Sequence, residues 1–212
     1  FSLGTDTAGS GRVPAALNNI IGLKPSKGLL STRGLVPACR SLDCISIFAF
    51  TCDDANRVFD IGAQFDGEDD YSRANPYSNG KRYFGTFTRT PVIGIPADSE
   101  LEFFGDTEAQ QLFRASVEQM RALGWNLQEV SIRPFIEAAR LLYQGPWVAE
   151  RTLATQSLLD SNPAALLPVI RSIVEGGKNL TATDTFSAHY RLQHCIQQAQ
   201  PLLHAVDAIV TP

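Results

Sequence analysis

The chain has 212 residues, of which 44% are hydrophobic and 19% are charged, as is usual for a globular protein that can bury a sizeable core. Its net charge of −4 argues against a general surface for nucleic acids or anionic membranes. No apolar run approaches the ~20 residues that a bilayer-spanning helix needs. The composition therefore predicts a globular protein with no nucleic-acid and no membrane partner.

The chain opens on a glycine-rich loop, which is its strongest functional signal. Glycines lie at positions 4, 9 and 11, with small or hydroxylated residues between them. Glycine lets the backbone approach a ligand closely, and successive N–H groups in such a turn can point at one anion. Ser10 has glycine on both sides, so its hydroxyl is uncrowded. We predict a serine nucleophile whose oxyanion donors are the N–H groups of Thr7, Ala8, Gly9 and Ser10 itself.

Two other glycine-loop patterns do not fit this segment. A phosphate-binding loop has Lys and then Ser or Thr after its second glycine, where this chain has Ser10 and Gly11. The nucleophile elbow of α/β-hydrolases has glycine two positions before and after the serine, where this chain has Ala8 and Arg12. From the pattern alone, an ordinary glycine-rich turn stays open as the alternative.

The first third of the chain is predicted to contain turns and short buried strands. Segments 28–31 and 46–50 have the apolar pattern of such strands. Asp53 and Asp54 are expected to cap a helix over residues 55–61, which Gly62 ends. Residues 64–90, rich in Gly, Pro, Asn and Asp, are expected to form a surface loop.

A strand, a helix and a second strand are predicted next. Residues 92–95 form the first strand, and the helix begins at Asp106 or Thr107 and ends before Gly124. Residues 125–132 form the second strand, an order that implies a crossover unit on a sheet. The apolar stripe of the helix is predicted to be core and comprises Leu112, Phe113, Val117, Met120 and Leu123.

From Pro134 onward the pattern is mainly helical. Helices are predicted over residues 136–143, from Pro146, from Asn162–Pro163 with a kink or restart at Pro168, and over residues 183–199. The last helix is expected to be amphipathic, with one apolar side formed by Phe186, Tyr190, Ile196 and Ala199. Residues 207–210 have the pattern of a buried strand.

Cysteines and histidines give no separate functional signal. The cysteines fit no zinc-site spacing, so we predict buried, reduced thiols at Cys39, Cys44, Cys52 and Cys195. The histidines all lie near the C-terminus, and we predict helix-surface or satisfied core positions, not catalytic ones, for His189 and His194, and no catalytic role for His204.

The glycine loop carries a resemblance to a known family. Residues 4–16 (GTDTAGSGRVPAA) and 21–26 (IGLKPS) are similar to the core of the amidase signature family. The similarity continues through Asp43 and residues 48–51, about a quarter of the chain, and is long and ungapped. Within the family, Ala8, Gly11 and segments 17–20 and 37–44 resemble the allophanate hydrolases more than the tRNA-dependent amidotransferase subunits.

The resemblance implies an α/β fold, with α/β/α layers around a mixed sheet, and a serine-dependent amide hydrolase. Ser10 matches the acyl-enzyme nucleophile of the family, and the amides before it match the oxyanion hole. The family's base is a neutral lysine that acts through a bridging serine, and a buried lysine can have the lowered pKa that this requires.

The family's lysine and bridging serine lie upstream of the nucleophile, and residues 1–212 contain neither of them. All four lysines follow Ser10, and no Gly-Ser-Ser-Gly-Gly-Ser-like stretch occurs. The chain also begins inside the loop motif and ends directly after the strand predicted over residues 207–210. We therefore expect residues 1–212 to be part of a single amidase-signature domain, incomplete at both ends and without the complete catalytic machinery.

Substrate recognition is predicted in the segment 143–151. Its sequence, YQGPWVAER, resembles the allophanate hydrolase segment whose Tyr and Arg hold the substrate carboxylate. Arginine offers a planar fork that can bind a carboxylate through two hydrogen bonds, and tyrosine adds one O–H donor. The resemblance thus implies that Tyr143 and Arg151 bind substrate. A core tyrosine and an ion-paired arginine are the alternatives.

The implied function is the hydrolysis of allophanate, late in urea degradation, to ammonia and carbon dioxide. The resemblance implies no metal or organic cofactor. It also implies a cytoplasmic enzyme, commonly dimeric, that is functionally coupled to a biotin-dependent urea carboxylase. Two alternatives stay open, an amidase of another substrate class and a truncated, non-catalytic remnant.

Overall fold

A computed structural model describes residues 1–75 and 89–212 of the chain. The described residues form two compact units. The first comprises residues 1–75 and 149–175, and the second comprises residues 89–148 and 176–212. No helix in the described part of the chain is both long and apolar enough to cross a bilayer.

An antiparallel three-stranded sheet organises the first unit. Its central strand is β3 (Ile45–Ala49), flanked by β1 (Ser2–Thr5) and β2 (Ile21–Leu23). Leu3 pairs with Ile47 on one side, and Leu23 pairs with Ile47 on the other. The short helix α1 (Val13–Leu17) joins the two edge strands in the chain and contacts β2. The strand predicted over residues 46–50 is thereby confirmed, shifted by one residue.

Helix α2 (Cys52–Gly62) covers this sheet and completes the first core. Its buried residues pack with residues of β3 and with two leucines from the connection between β2 and β3, and this core consists of Leu29, Leu30, Ile47, Ala49, Ala55 and Phe59. The predicted helix is confirmed, but its cap is Thr51, whose hydroxyl accepts from the Asp54 N–H at 3.1 Å. Asp53 and Asp54 lie in the first turn, where negative charge favours the helix dipole.

The strand predicted over residues 28–31 is wrong, because this segment forms turns. Gly28 has a φ of 82°, which an extended strand does not permit. Ser31 instead donates its hydroxyl to Asp66 at 2.8 Å, and the Thr32 N–H donates to Asp69 at 2.6 Å. These bonds tie the segment to the loop after α2. Residues 64–75 form turns and loops as predicted, while 76–88 lie outside the described residues.

A parallel three-stranded sheet organises the second unit. The central strand β4 (Val92–Pro96) pairs with β5 (Asn126–Val130) on one side and with β6 (Ala208–Ile209) on the other. Helix α3 (Thr107–Ala122) connects β4 to β5, so the predicted crossover unit is confirmed. Asp106 is its N-cap, accepting from the Ala109 N–H at 2.9 Å, and Gly124 follows it with a φ of 79°.

Fewer residues of α3 are buried in the core of the second unit than the sequence pattern predicted. Phe113, Val117 and Met120 are buried and pack with Ile93 of β4. These three helical residues follow an i, i+4, i+7 spacing, which places them on one face. Leu112 and Leu123 belong to the predicted stripe but are 62% and 66% exposed, since both lie away from that face.

The remaining helices are α4 (Arg133–Gln144), α5 (Trp147–Ser161), α6 (Pro168–Gly176) and α7 (Ala182–Ala205). Within the second unit α4 packs against α7. The predicted apolar side of α7 is wrong for Phe186, Tyr190 and Ile196, which are exposed, whereas Ala199 is buried as expected. The buried face of α7 consists of Ala188, Cys195 and Ala199.

Candidate active site

The loop that carries Ser10 is held at both ends by regular structure. Strand β1 leads into it, and the Asp6 N–H donates to the Cys44 carbonyl at 2.8 Å. At the other end, the Val13 N–H donates to the Gly9 carbonyl at 2.9 Å and begins α1. Gly9 has a φ of 127°, a conformation that favours glycine.

Gly11 is required at its position for a steric reason. A Cβ atom there would lie 2.0 Å from the Ser46 Oγ and 2.5 Å from the Ser46 Cβ. The loop backbone therefore rests directly on β3, closer than any side chain would allow. This close contact fixes the distance between β3 and the loop backbone at Gly11, next to Ser10.

The carboxylate of Asp6 is the organising group inside the loop. It is fully buried and accepts four hydrogen bonds. Its Oδ1 accepts from the Gly9 N–H at 2.6 Å, from Arg12 Nη2 at 3.1 Å and from Lys24 Nζ at 3.3 Å. Its Oδ2 accepts from Arg12 Nε at 2.8 Å. Two cations and a backbone amide thus satisfy a charge that would otherwise be costly to bury.

Opposing effects set the pKa of Asp6. Burial alone raises the pKa, because it disfavours the charged form. Hydrogen bonds from Arg12 and Gly9 and the charge of Lys24 outweigh burial, so the net pKa lies well below its ordinary range. The loop therefore folds around an ionised carboxylate, and Asp6 and Arg12, which flank the predicted nucleophile, form a direct ion pair.

Ser10 lies at the surface of this loop. The residue is exposed, and so is Ala8 before it. Among the described residues, the N–H groups of Thr7, Ala8 and Ser10 donate no hydrogen bond. The Gly9 N–H, which was also predicted as an oxyanion donor, donates to Asp6 at 2.6 Å. Gly9 can therefore assist an oxyanion only by sharing its N–H between two acceptors.

A second carboxylate, Asp43, holds the loop through Thr7. The Thr7 hydroxyl donates to Asp43 Oδ1 at 2.6 Å. The same carboxylate accepts from the Ala38 N–H at 3.0 Å and from the Cys39 N–H at 3.1 Å. Asp43 is buried, so these bonds fold residues 38–43 into a compact loop, called here the Asp43 loop. The Asp43 loop and the Ser10 loop are thereby joined side by side.

The predicted substrate-binding pair comes from two different helices. Arg151 directly follows the first turn of α5, is half-buried and belongs to the first unit together with Ser10. Tyr143 lies near the end of α4 in the second unit and is 59% exposed. Gly145 follows the last residue of α4, and its position requires glycine because a Cβ there would lie 2.4 Å from the Leu141 carbonyl oxygen.

Sequence reasoning gave no role to Glu150, although it lies inside the segment 143–151 singled out above. Its Oε1 accepts from the Ser41 N–H at 2.5 Å, and its Oε2 accepts from the Ser41 hydroxyl at 2.5 Å. The Cys39 thiol also donates to Oε2, at 3.1 Å. The Asp43 loop therefore meets the first turn of α5 through Glu150. Only its position next to Arg151 could have indicated this role.

All four cysteines are free thiols, and three of them are buried as predicted. The prediction is wrong for Cys52, which is exposed. Burial, together with the neighbouring Glu150 carboxylate, raises the pKa of the Cys39 thiol to about 12. Cys39 is thus a neutral hydrogen-bond donor.

The three histidines all lie on α7 in the second unit, and all are exposed, in line with the predicted surface positions. The His189 ring packs on the Trp147 ring with a centroid distance of 5.4 Å. The described structure therefore gives a packing role to His189 and places no histidine in the unit that carries Ser10.

An α/β chain with an exposed serine in a rigid, amide-lined glycine loop matches one family over its full length. The family model described as Amidase matches residues 1–212, and the chain belongs to the amidase family. Over the whole chain it is 48% identical to the urea amidolyase of Saccharomyces cerevisiae, covering 11% of that protein.

Two solved structures have the same fold. The selenomethionine-substituted Kluyveromyces lactis allophanate hydrolase aligns with a TM-score of 0.90 and 43% identity, over 98% of this chain and 34% of that one. The crystal structure of an amidase aligns with a TM-score of 0.80 and 28% identity, over 100% of this chain and 44% of that one. The predicted fold class is thereby confirmed. The chain spans about a tenth of the urea amidolyase and about a third of the allophanate hydrolase.

Proposed function

We propose that this chain supplies the nucleophile and the substrate-carboxylate site of an enzyme that hydrolyses allophanate. One observation carries the proposal: Ser10 is exposed on a loop fixed by two buried carboxylates, beside N–H groups that have no acceptor among the described residues. The 48% identity to a urea amidolyase and the 43% identity to an allophanate hydrolase support the choice of substrate.

In the proposed reaction the Ser10 hydroxyl oxygen attacks the carbonyl carbon of the terminal amide of allophanate. The carbonyl oxygen becomes an oxyanion, which the N–H groups of Thr7 and Ala8 stabilise, with Gly9 as a shared donor. The hydroxyl proton passes to the amide nitrogen, and the carbon–nitrogen bond breaks to release ammonia. Water then hydrolyses the acyl-enzyme to N-carboxycarbamate, which decomposes to ammonia and carbon dioxide.

The proton carrier in this proposal is the family's lysine, acting through a bridging serine. Lys24 does not fit that role, because its ammonium donates to the buried carboxylate of Asp6 at 3.3 Å. We propose no catalytic role for the histidines, since the base of the family is a lysine, and His189 packs on Trp147. We propose that Ser10 is the nucleophile and that its proton carriers are the family's lysine and bridging serine.

The residues proposed to bind the substrate carboxylate are Arg151 and, from the family resemblance, Tyr143. Allophanate carries a carboxylate next to its urea-like group, and an arginine can bind such a group through two parallel hydrogen bonds. Arg151 is half-buried in the same unit as Ser10. Partial burial strengthens a charge-assisted contact by lowering the local dielectric.

The proposal includes a place in metabolism. Allophanate is the product expected of a biotin-dependent urea carboxylase, so we propose a functional link to such an enzyme, in the cytoplasm. We further propose that the complete enzyme is a homodimer. Size-exclusion chromatography with light scattering tests the homodimer directly, and a monomeric mass at working concentration contradicts it.

The test of the nucleophile uses Ser10→Ala in the full-length enzyme, with Ser2→Ala on the exposed strand β1 as the matched control. Ser10→Ala should abolish both covalent labelling by a fluorophosphonate and ammonia release from allophanate, while Ser2→Ala should retain both. Labelling of Ser10→Ala at the wild-type rate would show that the nucleophile is another residue. Faster hydrolysis of a carboxylate-free amide such as biuret would point to another substrate class.

A further inference from the structure

Glu150 connects two parts of the chain that are far apart in sequence. Its carboxylate accepts from the Ser41 N–H, the Ser41 hydroxyl and the Cys39 thiol. Ser41 and Glu150 are 109 residues apart. Hydrogen bonds to a charged group are among the stronger ones in proteins, and three of them converge here on one side chain.

Further hydrogen bonds connect the Asp43 loop to the loop that carries Ser10. The Cys39 N–H donates to Asp43 at 3.1 Å, and Asp43 accepts from the Thr7 hydroxyl at 2.6 Å. A continuous series of hydrogen bonds therefore runs from the loop that carries Ser10, through the Asp43 loop, to the first turn of α5. All of these residues belong to the first unit.

Arg151 lies between two anchored residues of α5. On one side is Glu150, and on the other is Thr152, which is buried and donates its hydroxyl to the Val174 carbonyl at 2.5 Å. Neighbouring residues of an α-helix project about 100° apart, so fixing both neighbours fixes the rotation of this turn about the helix axis. The direction in which the Arg151 side chain leaves α5 is thereby set.

We infer that Glu150 is a positioning residue for recognition of the substrate carboxylate, because it fixes Arg151 relative to the Ser10 loop. The inference rests on the role proposed above for Arg151. Glu150 itself touches the Asp43 loop and is assigned no contact with substrate. Its contribution should therefore depend on Arg151 and on the presence of a carboxylate in the substrate.

The experiment compares Glu150→Gln with wild type in the full-length enzyme, using allophanate and biuret, which has an amide in place of the carboxylate. For allophanate we expect KM to rise about 10-fold with kcat within about threefold, since the lost contact acts on substrate binding. For biuret we expect kcat/KM to stay within about threefold. Asp160→Asn, an exposed acid on the same helix, is the matched control and should leave both substrates unchanged.

A double-mutant cycle with Arg151→Ala distinguishes positioning from general damage. If Glu150 acts through Arg151, Glu150→Gln should have little further effect in the Arg151→Ala background. Ser41→Ala removes one of the three donors from the other side and should move KM in the same direction by about threefold. The KM of Ser41→Ala also tests the inference if Glu150→Gln does not fold.

The possible failures are distinct. An equal loss of kcat/KM for allophanate and biuret in Glu150→Gln, or additive effects in the cycle, would overturn the inference and leave Arg151 in place. A preference for allophanate that Arg151→Ala does not reduce would overturn the proposed role of Arg151, and the inference with it. Unchanged fluorophosphonate labelling of Ser10→Ala would overturn the proposed nucleophile alone.

Discussion

The Thr7 hydroxyl donates to Asp43 Oδ1 at 2.6 Å across 36 residues of sequence. Thr7 and Ala8 are both proposed oxyanion donors. This bond connects Thr7 to the buried carboxylate of Asp43, which also accepts hydrogen bonds from N–H groups of the Asp43 loop. Oxyanion stabilisation depends on donors that are held in place before the reaction begins. The Thr7–Asp43 contact is therefore expected to affect turnover as well as stability.

Replacing Thr7 by Val should lower kcat for allophanate on the order of 10-fold, because the loop loses one of its two carboxylate anchors. Thr7→Ser keeps the hydroxyl and is the matched control, expected to stay within about threefold of wild type. Steady-state kinetics of the full-length enzyme check this expectation. A lower melting temperature with an unchanged kcat in Thr7→Val would limit the contact to a structural role.

Replacing Asp6 by Ala should cost about 3 kcal/mol in the free energy of unfolding, since a buried ion pair loses its anion. The cost is at the low end for such pairs because Arg12 and Lys24 have side chains 56% and 26% exposed and can turn towards water. Asp98→Ala removes an exposed pair with Arg114 and should change stability by less than about 0.5 kcal/mol. Urea unfolding gives both values, and equal effects would contradict the prediction.

The pH dependence of this contribution follows from the direction of the Asp6 pKa. Burial raises that pKa, but Arg12, Gly9 and Lys24 together lower it below its ordinary value of 3.8. Above pH 3.8 the carboxylate is ionised in both the folded and the unfolded chain, so the stabilisation is fully present. As the pH falls below 3.8 the unfolded chain takes up the proton first, and the stabilisation is lost as the pH falls further.

The stability difference between wild type and Asp6→Asn should consequently be constant between pH 7 and pH 5 and shrink in stronger acid. Urea midpoints of the two proteins at matched ionic strength measure this difference. A difference that grows on acidification would show that Asp6 is not held as a stabilising carboxylate.

Thiol labelling should separate Cys52 from the other cysteines. Cys52 is exposed, whereas Cys39 is fully buried and has a pKa raised to about 12 by burial and by Glu150. The thiolate is the reactive form, so iodoacetamide at pH 8 should modify Cys52 in the native enzyme and Cys39 only after denaturation. Peptide mapping by mass spectrometry identifies the modified residues. Comparable native labelling of the two would contradict the described environment of Cys39.

The parts that the sequence predicted well are those with local signals. The helix that begins at Thr107 has an Asp106 cap and a Gly124 end, both of which are visible in the sequence. The Ser10 loop was likewise predictable, since its glycines and its resemblance to a family lie in one continuous segment. Local chemistry determines such features with little help from the rest of the fold.

The parts that were missed depend on distant contacts. Residues 28–31 have a strand pattern, but Ser31 is held by Asp66 and Asp69 and forms a turn instead. Glu150 gave no signal, because its partners lie more than 100 residues earlier in the chain. Tertiary contacts of this kind override local propensity. They also decide where the side chains around a catalytic loop come to lie.

The separation between Ser41 and Glu150 has a consequence for synthesis of the protein. The two residues are 109 positions apart. A ribosome that adds about 5–20 residues per second therefore needs on the order of 5–20 s to deliver the acceptor after the donor. During that interval the Cys39 thiol and the Asp43 loop lack the side chain that later holds them. The loop that carries Ser10 therefore gains this support only after Glu150 has been synthesised, so its final geometry forms well after its own residues have been made.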